Sequence, residues 1–448
     1  VGSDFSWRET SAIINWSKDK MSTLDPQQFA ATLLADPEFL HRLFGFEGVL
    51  RISAPPVELD VVVEPGKPPM VRPQSGDAQL EVVVPSEMLA QARQQVPPPG
   101  TEALFRAAQH GAEVRGDLAS FAAPYAGLLS RVYDLLRRSG SDVIDVPLAG
   151  EPFADTDTAV GRYVRVTVDG ITYRIFYEES GSGIPLLLQH TAGADGRQWR
   201  NQLADPAFQQ RFRVIAYDLP YHGRSLPPTS EQWWTRDYRT TKDWFIKMVL
   251  GIMDALKIEK PIFMGCSVGG QLALDLAVNH ADRFRALVAI NGTLDNPMAG
   301  NPFADHWNNV CRDNRVTNDN YAMGNFNATS PLAPEPLRRE VYWIYRSNFQ
   351  GVYAGDNDYF MHYHDLKVDG QDIRTDVTPV YALAGEYDPV AVLEDHGSPA
   401  VAKRFPGVEY RFLPGLGHFC PSDDPVRFNA AVLPILEEAV NRQRPASA

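Results

Sequence analysis

Residues 261–279 read PIFMGCSVGGQLALDLAVN, and no other stretch limits the fold of this chain as tightly. The apolar run 261–264 has the character of a buried strand, and Gly265-Cys266-Ser267-Val268-Gly269 is a G-x-S-x-G turn. Leu272, Leu274, Leu276 and Ala277 mark an apolar helix behind it. A serine acts as a nucleophile only when its hydroxyl stands clear of its own backbone. A tight turn achieves that when small residues flank it, here Gly265 and Gly269. Ser267 would then open a helix, whose unpaired N–H groups and positive dipole end face any negative charge that develops on an attacked carbonyl.

At 448 residues the chain exceeds the usual size of one core, so two domains are expected. A net charge of −14 disfavours nucleic acid and anionic membrane surfaces as partners. Cys266, Cys311 and Cys420 lie too far apart in sequence to suggest a disulfide framework or metal-ligand spacing. No apolar run is long enough to span a membrane, and the first residues, VGSDFSWRET, lack the basic and apolar regions of a signal peptide. A cytoplasmic location is the expectation.

Residues 1–150 differ in texture from the rest and read as an α+β accessory domain. Helices are expected over 11–21 and 26–44, with Asp25 as N-cap before Pro26. Meander strands follow over 48–52, 57–63 and 80–84, then helices over 86–95, 102–108 and 125–138, with a Pro97-Pro98-Pro99-Gly100 break between the first two. His41 and His110 stand alone and suggest no site. Residues 140–157 lack periodicity and read as a linker.

From residue 158 to 448 strands and helices alternate, which predicts an α/β domain with a mostly parallel sheet and helices on both faces. It opens with a hairpin, 163–168 and 171–178 joined by Asp169-Gly170. Further strands are expected over 186–189, 214–217, 261–264, 286–290, 380–384 and 408–413. Such sheets bind ligands beyond the carboxyl ends of their strands, where the candidate site residues fall.

Serine chemistry requires a base that takes the hydroxyl proton and a carboxylate that orients the base. His418, in Pro414-Gly415-Leu416-Gly417-His418-Phe419 after the last strand, is the candidate base, with His396 its competitor. Asp388, in Gly385-Glu386-Tyr387-Asp388-Pro389, is the candidate acid, with Glu386 and Asp295 as rivals. His222, in Asp218-Leu219-Pro220-Tyr221-His222-Gly223, reads as a buried turn residue.

The elbow, the acid, the histidine and their order resemble the α/β-hydrolase superfamily over about residues 160–440. The resemblance implies an oxyanion hole from the backbone N–H groups of Val268 and Ala192, the latter in His190-Thr191-Ala192-Gly193, with Thr191 as rival. His-Thr stands there in place of the commoner His-Gly, which questions the loop's backbone angles. The 189–193 start and the Gly265-Cys266-Ser267 elbow also resemble bacterial esterases that act on aromatic agrochemicals. About ninety residues, 292–378, separate two strands and are expected to form an aromatic-rich cap over an apolar pocket. The His362-Tyr363-His364 pattern has no placed third ligand, so neither metal nor cofactor is assigned.

The implied function is serine hydrolysis of a carboxylic ester of a fairly large apolar or aromatic substrate. A lactone or carbon–carbon bond is the alternative on the same residues, and a lipid-binding protein with a degenerate hydrolase half is the alternative of another class. Residues 46–138 resemble the sterol-carrier-protein-2-like fold, which implies a cavity for lipid-like molecules. The competing reading is a lid or a dimerisation domain, and self-association stays open.

Overall fold

The computed structural model describes residues 24–116, 124–141, 143, 145–148, 156–299, 308, 311–312, 318–349, 351–368 and 371–442. The helix expected over 11–21, the aromatics Phe303 and Trp307, and part of the linker lie outside them.

Asp25 accepts the Gln28 N–H at 2.7 Å and caps helix Pro26–Ala35, with Pro26 at its first position. The single helix expected to residue 44 is two. Asp36 turns extended, accepts the Phe39 N–H at 2.6 Å and caps a second helix, Pro37–Arg42. Proline lacks an N–H and pushes its predecessor out of helical geometry, so Pro37 restarts the helix.

Five strands follow: β1 (Gly48–Ala54), β2 (Val57–Val63), β3 (Met70–Pro73), β4 (Leu80–Val83) and β5 (Glu113–Gly116), in the order β3-β2-β1-β4-β5. The meander expected from 48–52, 57–63 and 80–84 does not form: β1 and β2 pair antiparallel, but β4 pairs parallel to β1, Leu50 facing Leu80, and the antiparallel neighbour of β2 is β3. β3 and β5 escape sequence reading because four residues are too few to show alternation. Leu50, Ile52, Val61, Leu80 and Val82 point to one face and are buried with residues of helices Pro26–Ala35, Ser86–Ala92 and Ala126–Arg138.

Eight strands make the second sheet: β6 (Val160–Val168), β7 (Ile171–Ser180), β8 (Ile184–Gln189), β9 (Phe212–Tyr217), β10 (Ile262–Cys266), β11 (Ala286–Ile290), β12 (Val380–Gly385) and β13 (Glu409–Leu413). Their order is β13-β12-β11-β10-β8-β9-β7-β6. β8 to β13 run parallel, while β6 and β7 form an antiparallel hairpin edge. Asp169 and Gly170 take φ of 51° and 81° at its turn, as a two-residue hairpin with matching twist requires. One face carries Leu187, Ile215, Phe263 and Leu287 against helices Lys242–Ala255 and Val268–Asn279. The other carries Leu188, Val214, Met264 and Val288 against helix Pro425–Arg442. Burial on both faces explains why these strands read as continuous apolar runs.

The insertion between β11 and β12 includes helices Asn318–Phe326, Glu335–Arg346 and Val352–His362. Tyr321 and Tyr345 share a buried cluster there, with Phe419 of the histidine loop packed into it, so part of the insertion's aromatic content is its own core. The N-terminal helix Pro37–Arg42 lies against this insertion. Arg339 pairs with both carboxylate oxygens of Glu38 at 2.8 Å, and Arg42 with Asp319 at 3.2 Å.

Candidate active site

β10 ends at Cys266 and the next helix starts at Val268, which leaves one residue for the turn. Ser267 adopts φ 57° and ψ −116°, a conformation that costs a non-glycine residue on the order of 1–3 kcal/mol. Its N–H donates to the Ile290 carbonyl at 2.9 Å and its carbonyl accepts the Gln271 N–H at 2.9 Å, which holds the turn in place. A Cβ on Gly265 would sit 2.2 Å from the Gly269 oxygen, so the turn closes only over glycine.

His418 hydrogen-bonds through Nδ1 to Asp388 Oδ2. The other Asp388 oxygen accepts the N–H groups of Val390 at 2.7 Å and Ala391 at 2.6 Å. Burial raises the Asp388 pKa, but the His418 charge and these hydrogen bonds outweigh it and hold the carboxyl below its ordinary value. The rivals face elsewhere. Glu386 accepts the Gly415 N–H at 2.7 Å, and Asp295 binds His396 Nδ1 at 2.8 Å and Lys367 at 2.9 Å. His396 sits in a turn before helix Ser398–Arg404.

Asn291 follows β11, and in the sequence Asn-Gly after a strand signals only a turn. Its Nδ2 donates to the carbonyls of His418 at 2.9 Å and Gly417 at 3.2 Å, and its Oδ1 accepts the Gly385 N–H at 2.8 Å. One amide side chain thus joins the end of β12 to the histidine loop. The His418 N–H donates to the Ala328 carbonyl of the insertion at 2.9 Å.

In the loop after β8, the Thr191 N–H donates to Gln198 Oε1 at 2.8 Å and the Gly193 N–H to Asp356 Oδ2 at 2.9 Å. The Ala194 N–H donates to the Thr191 carbonyl at 3.2 Å. Among the described residues the Ala192 N–H has no acceptor, nor has that of Val268 at the first helical position. Gly193 takes the positive φ of 69° and Thr191 takes none, so His-Thr is accommodated without strain at threonine.

The insertion holds this loop from outside. Asn348 Nδ2 donates to the Gly193 carbonyl at 3.0 Å, and the Tyr345 and Thr191 hydroxyls lie 2.6 Å apart. Asp356 Oδ2 also meets His222 Nε2 at 2.9 Å, while His222 Nδ1 faces the Pro220 carbonyl at 2.9 Å. Burial lowers the His222 pKa, but the Asp356 carboxylate more than compensates and the net shift is upward. Asp356 and Asn348 carry no local sequence signal because their partners lie more than a hundred positions away. His364 is buried on Asp275 and the Thr293 carbonyl, and His362 is exposed; among the described residues no group of three or more His, Cys, Asp or Glu could hold a metal ion.

Residues 184–425 match the family described as alpha/beta hydrolase fold, more than half of the chain, and the protein belongs to that family. The chain is 36% identical over 111 residues to a 2-hydroxymuconate semialdehyde hydrolase of Pseudomonas sp. (strain CF600), a match covering 25% of this chain and 37% of that protein's length. Among solved structures it is similar to a thermophilic esterase from Thermogutta terrifontis, with TM-score 0.52 and 21% identity, over 62% of this chain and 99% of that one. It is similar also to an enol-lactonase from Burkholderia xenovorans LB400, with TM-score 0.51 and 21% identity, over 62% and 99%. These two likenesses bear on the fold alone.

Proposed function

We propose that the protein is a serine hydrolase that cleaves a carboxylic ester of an apolar or aromatic substrate through an acyl-enzyme. The observation that carries this reading is the bond from His418 Nδ1 to buried Asp388. With Nδ1–H donated to the carboxylate, Nε2 keeps its lone pair for the Ser267 proton. Ser267 Oγ then bonds to the carbonyl carbon, and the oxygen gains charge between the Ala192 and Val268 N–H groups. Collapse of the tetrahedral adduct expels the alcohol, which takes the proton from His418. Water repeats the sequence on the acyl-enzyme and releases the acid.

The apolar part of this reading draws on a small recess beside the oxyanion loop, where Val341, Ile344, Tyr345 and Phe419 meet the more polar Thr191, Gln198 and Ser422. A fluorophosphonate should form one adduct, located on Ser267 by mass spectrometry. An adduct elsewhere, or undiminished hydrolysis by Ser267→Ala, would overturn the assignment.

A second reading, cleavage of a lactone or a carbon–carbon bond next to a ketone, is favoured by the match to the semialdehyde hydrolase. Ranking aryl esters, lactones and β-diketones by kcat/KM separates the two. For the N-terminal domain, a helix-covered five-stranded sheet supports the sterol-carrier-like reading, which predicts saturable binding of an apolar fluorescent probe by the full chain.

A further inference from the structure

Helix Ala126–Arg138 of the N-terminal domain presents Ser130 and Tyr133 one turn apart, and both are buried. Ser130 Oγ accepts from Asn327 Nδ2 at 3.0 Å, and the carbonyl of the next residue, Ala328, receives the His418 N–H at 2.9 Å. Tyr133 donates its hydroxyl to the Thr101 carbonyl at 2.8 Å, while the Thr101 amide and hydroxyl bond to the Pro98 carbonyl at 3.1 and 2.8 Å. That fastens the loop 97–99, three prolines whose φ angles are already fixed by their rings. The Pro97 carbonyl then accepts the hydroxyl of Tyr387 at 3.0 Å. Tyr387 directly precedes Asp388, is 1% exposed, and donates its own N–H to the Leu416 carbonyl at 2.9 Å in the histidine loop.

We propose that the N-terminal domain braces the acid and histidine loops of the hydrolase site, with Tyr387 and Asn327 as the positioning residues. This rests on the reading of Asp388 and His418 given above. One helix sets the distance between two contacts, one ending at the Asp388 turn and the other at the His418 backbone. A displacement of about 1 Å between reacting groups can cost on the order of a hundredfold in rate, so a brace on both loops acts on kcat. Substrate does not touch either residue in this scheme, and KM stays nearly level.

The test uses full-length Tyr387→Phe, which keeps the ring in the core and removes only the hydroxyl, and Asn327→Ala. Each should lower kcat roughly 5- to 20-fold, with KM within about twofold, and shift the acidic limb of the kcat/KM profile. Arg42→Gln breaks the Asp319 pair in the same contact, at the end of helix Asn318–Phe326 far from Asn327, and should keep the parent's kinetics. The NMR signal of the His418 Nδ1 proton, assigned with His418→Gln, gives a readout that needs no turnover, and it should move in Tyr387→Phe. If the fluorophosphonate fails to label Ser267, the functional reading falls while this signal still decides the brace. An unmoved His418 signal in Tyr387→Phe, or parental kcat and pH profile with only a lowered Tm, would overturn the proposal.

Discussion

Asp356 and Gly193 stand 163 positions apart in sequence, yet the carboxylate of one accepts the N–H of the other at 2.9 Å. The bond ties the insertion to the residue next to Ala192. Because Asn348 takes the Gly193 carbonyl, both peptide groups flanking this glycine are held by residues outside the sheet. Asp356→Ala should therefore lower kcat about 10- to 100-fold while KM changes little. It should weaken binding of a trifluoromethyl ketone, whose hemiketal adduct with Ser267 carries the oxyanion, more than binding of the product alcohol. Equal losses for the two ligands would show that Asp356 supports the fold and not the oxyanion loop.

The three carboxylates weighed as the acid separate cleanly by substitution. Asp388→Asn turns an amide toward His418 Nδ1 and favours the wrong tautomer, with an expected loss on the order of 10³–10⁴ in kcat. Glu386→Gln keeps an oxygen for the Gly415 N–H and should stay within about tenfold of the parent. Asp295→Asn, on a different histidine, should stay closer still. Steady-state kinetics on one aryl ester suffices, and a Glu386→Gln loss as deep as that of Asp388→Asn would contradict the assignment.

Asp423 is fully buried; one oxygen accepts the Ser330 N–H at 2.8 Å, and the other has no partner among the described residues. Burial pushes its pKa up to about 6 from an ordinary 3.8. The folded protein thus holds this proton more tightly than the unfolded chain. The resulting stabilisation is complete below pH 3.8 and is lost as pH rises through about 6. Asp423→Asn should flatten Tm against pH over that window and raise Tm at pH 7.5 by roughly 2–4 °C. Parallel Tm profiles for parent and variant would rule this out.

Gly265→Ala would press a methyl group against backbone on the far side of the turn, 2.2 Å from the Gly269 oxygen. Neither strand end can retreat, since β10 is paired on both sides. The expected cost is about 3 kcal/mol or more, measured by urea unfolding, and a variant as stable as the parent would mean the turn can open.

The fold was legible where the residues that define an element are neighbours. Buried parallel strands such as 286–290 announce themselves as apolar runs, and Asp169-Gly170 marks its hairpin. The elbow carries its own glycines. Pairings between distant segments left no such trace. The parallel step from β1 to β4 depends on a crossover that local composition does not encode, and Pro37 split a helix whose apolar pattern runs on through it. The same holds for Asp356, Asn348 and Asn291, each an ordinary polar residue until the fold supplies its partners. Thr191 shows the converse, since the strain suspected there was relieved two residues later at Gly193.

Asn291 bonds the end of one strand to the carbonyl of His418 and the amide of Gly385, so loops from distant parts of the chain register against a single amide group. Such an arrangement has no half-built form: during refolding, the hydrolase loops gain their geometry only when β11, β12 and β13 have all docked. Recovery of hydrolase turnover should then lag behind recovery of secondary structure, and its time course would serve as a clock for the last step of assembly.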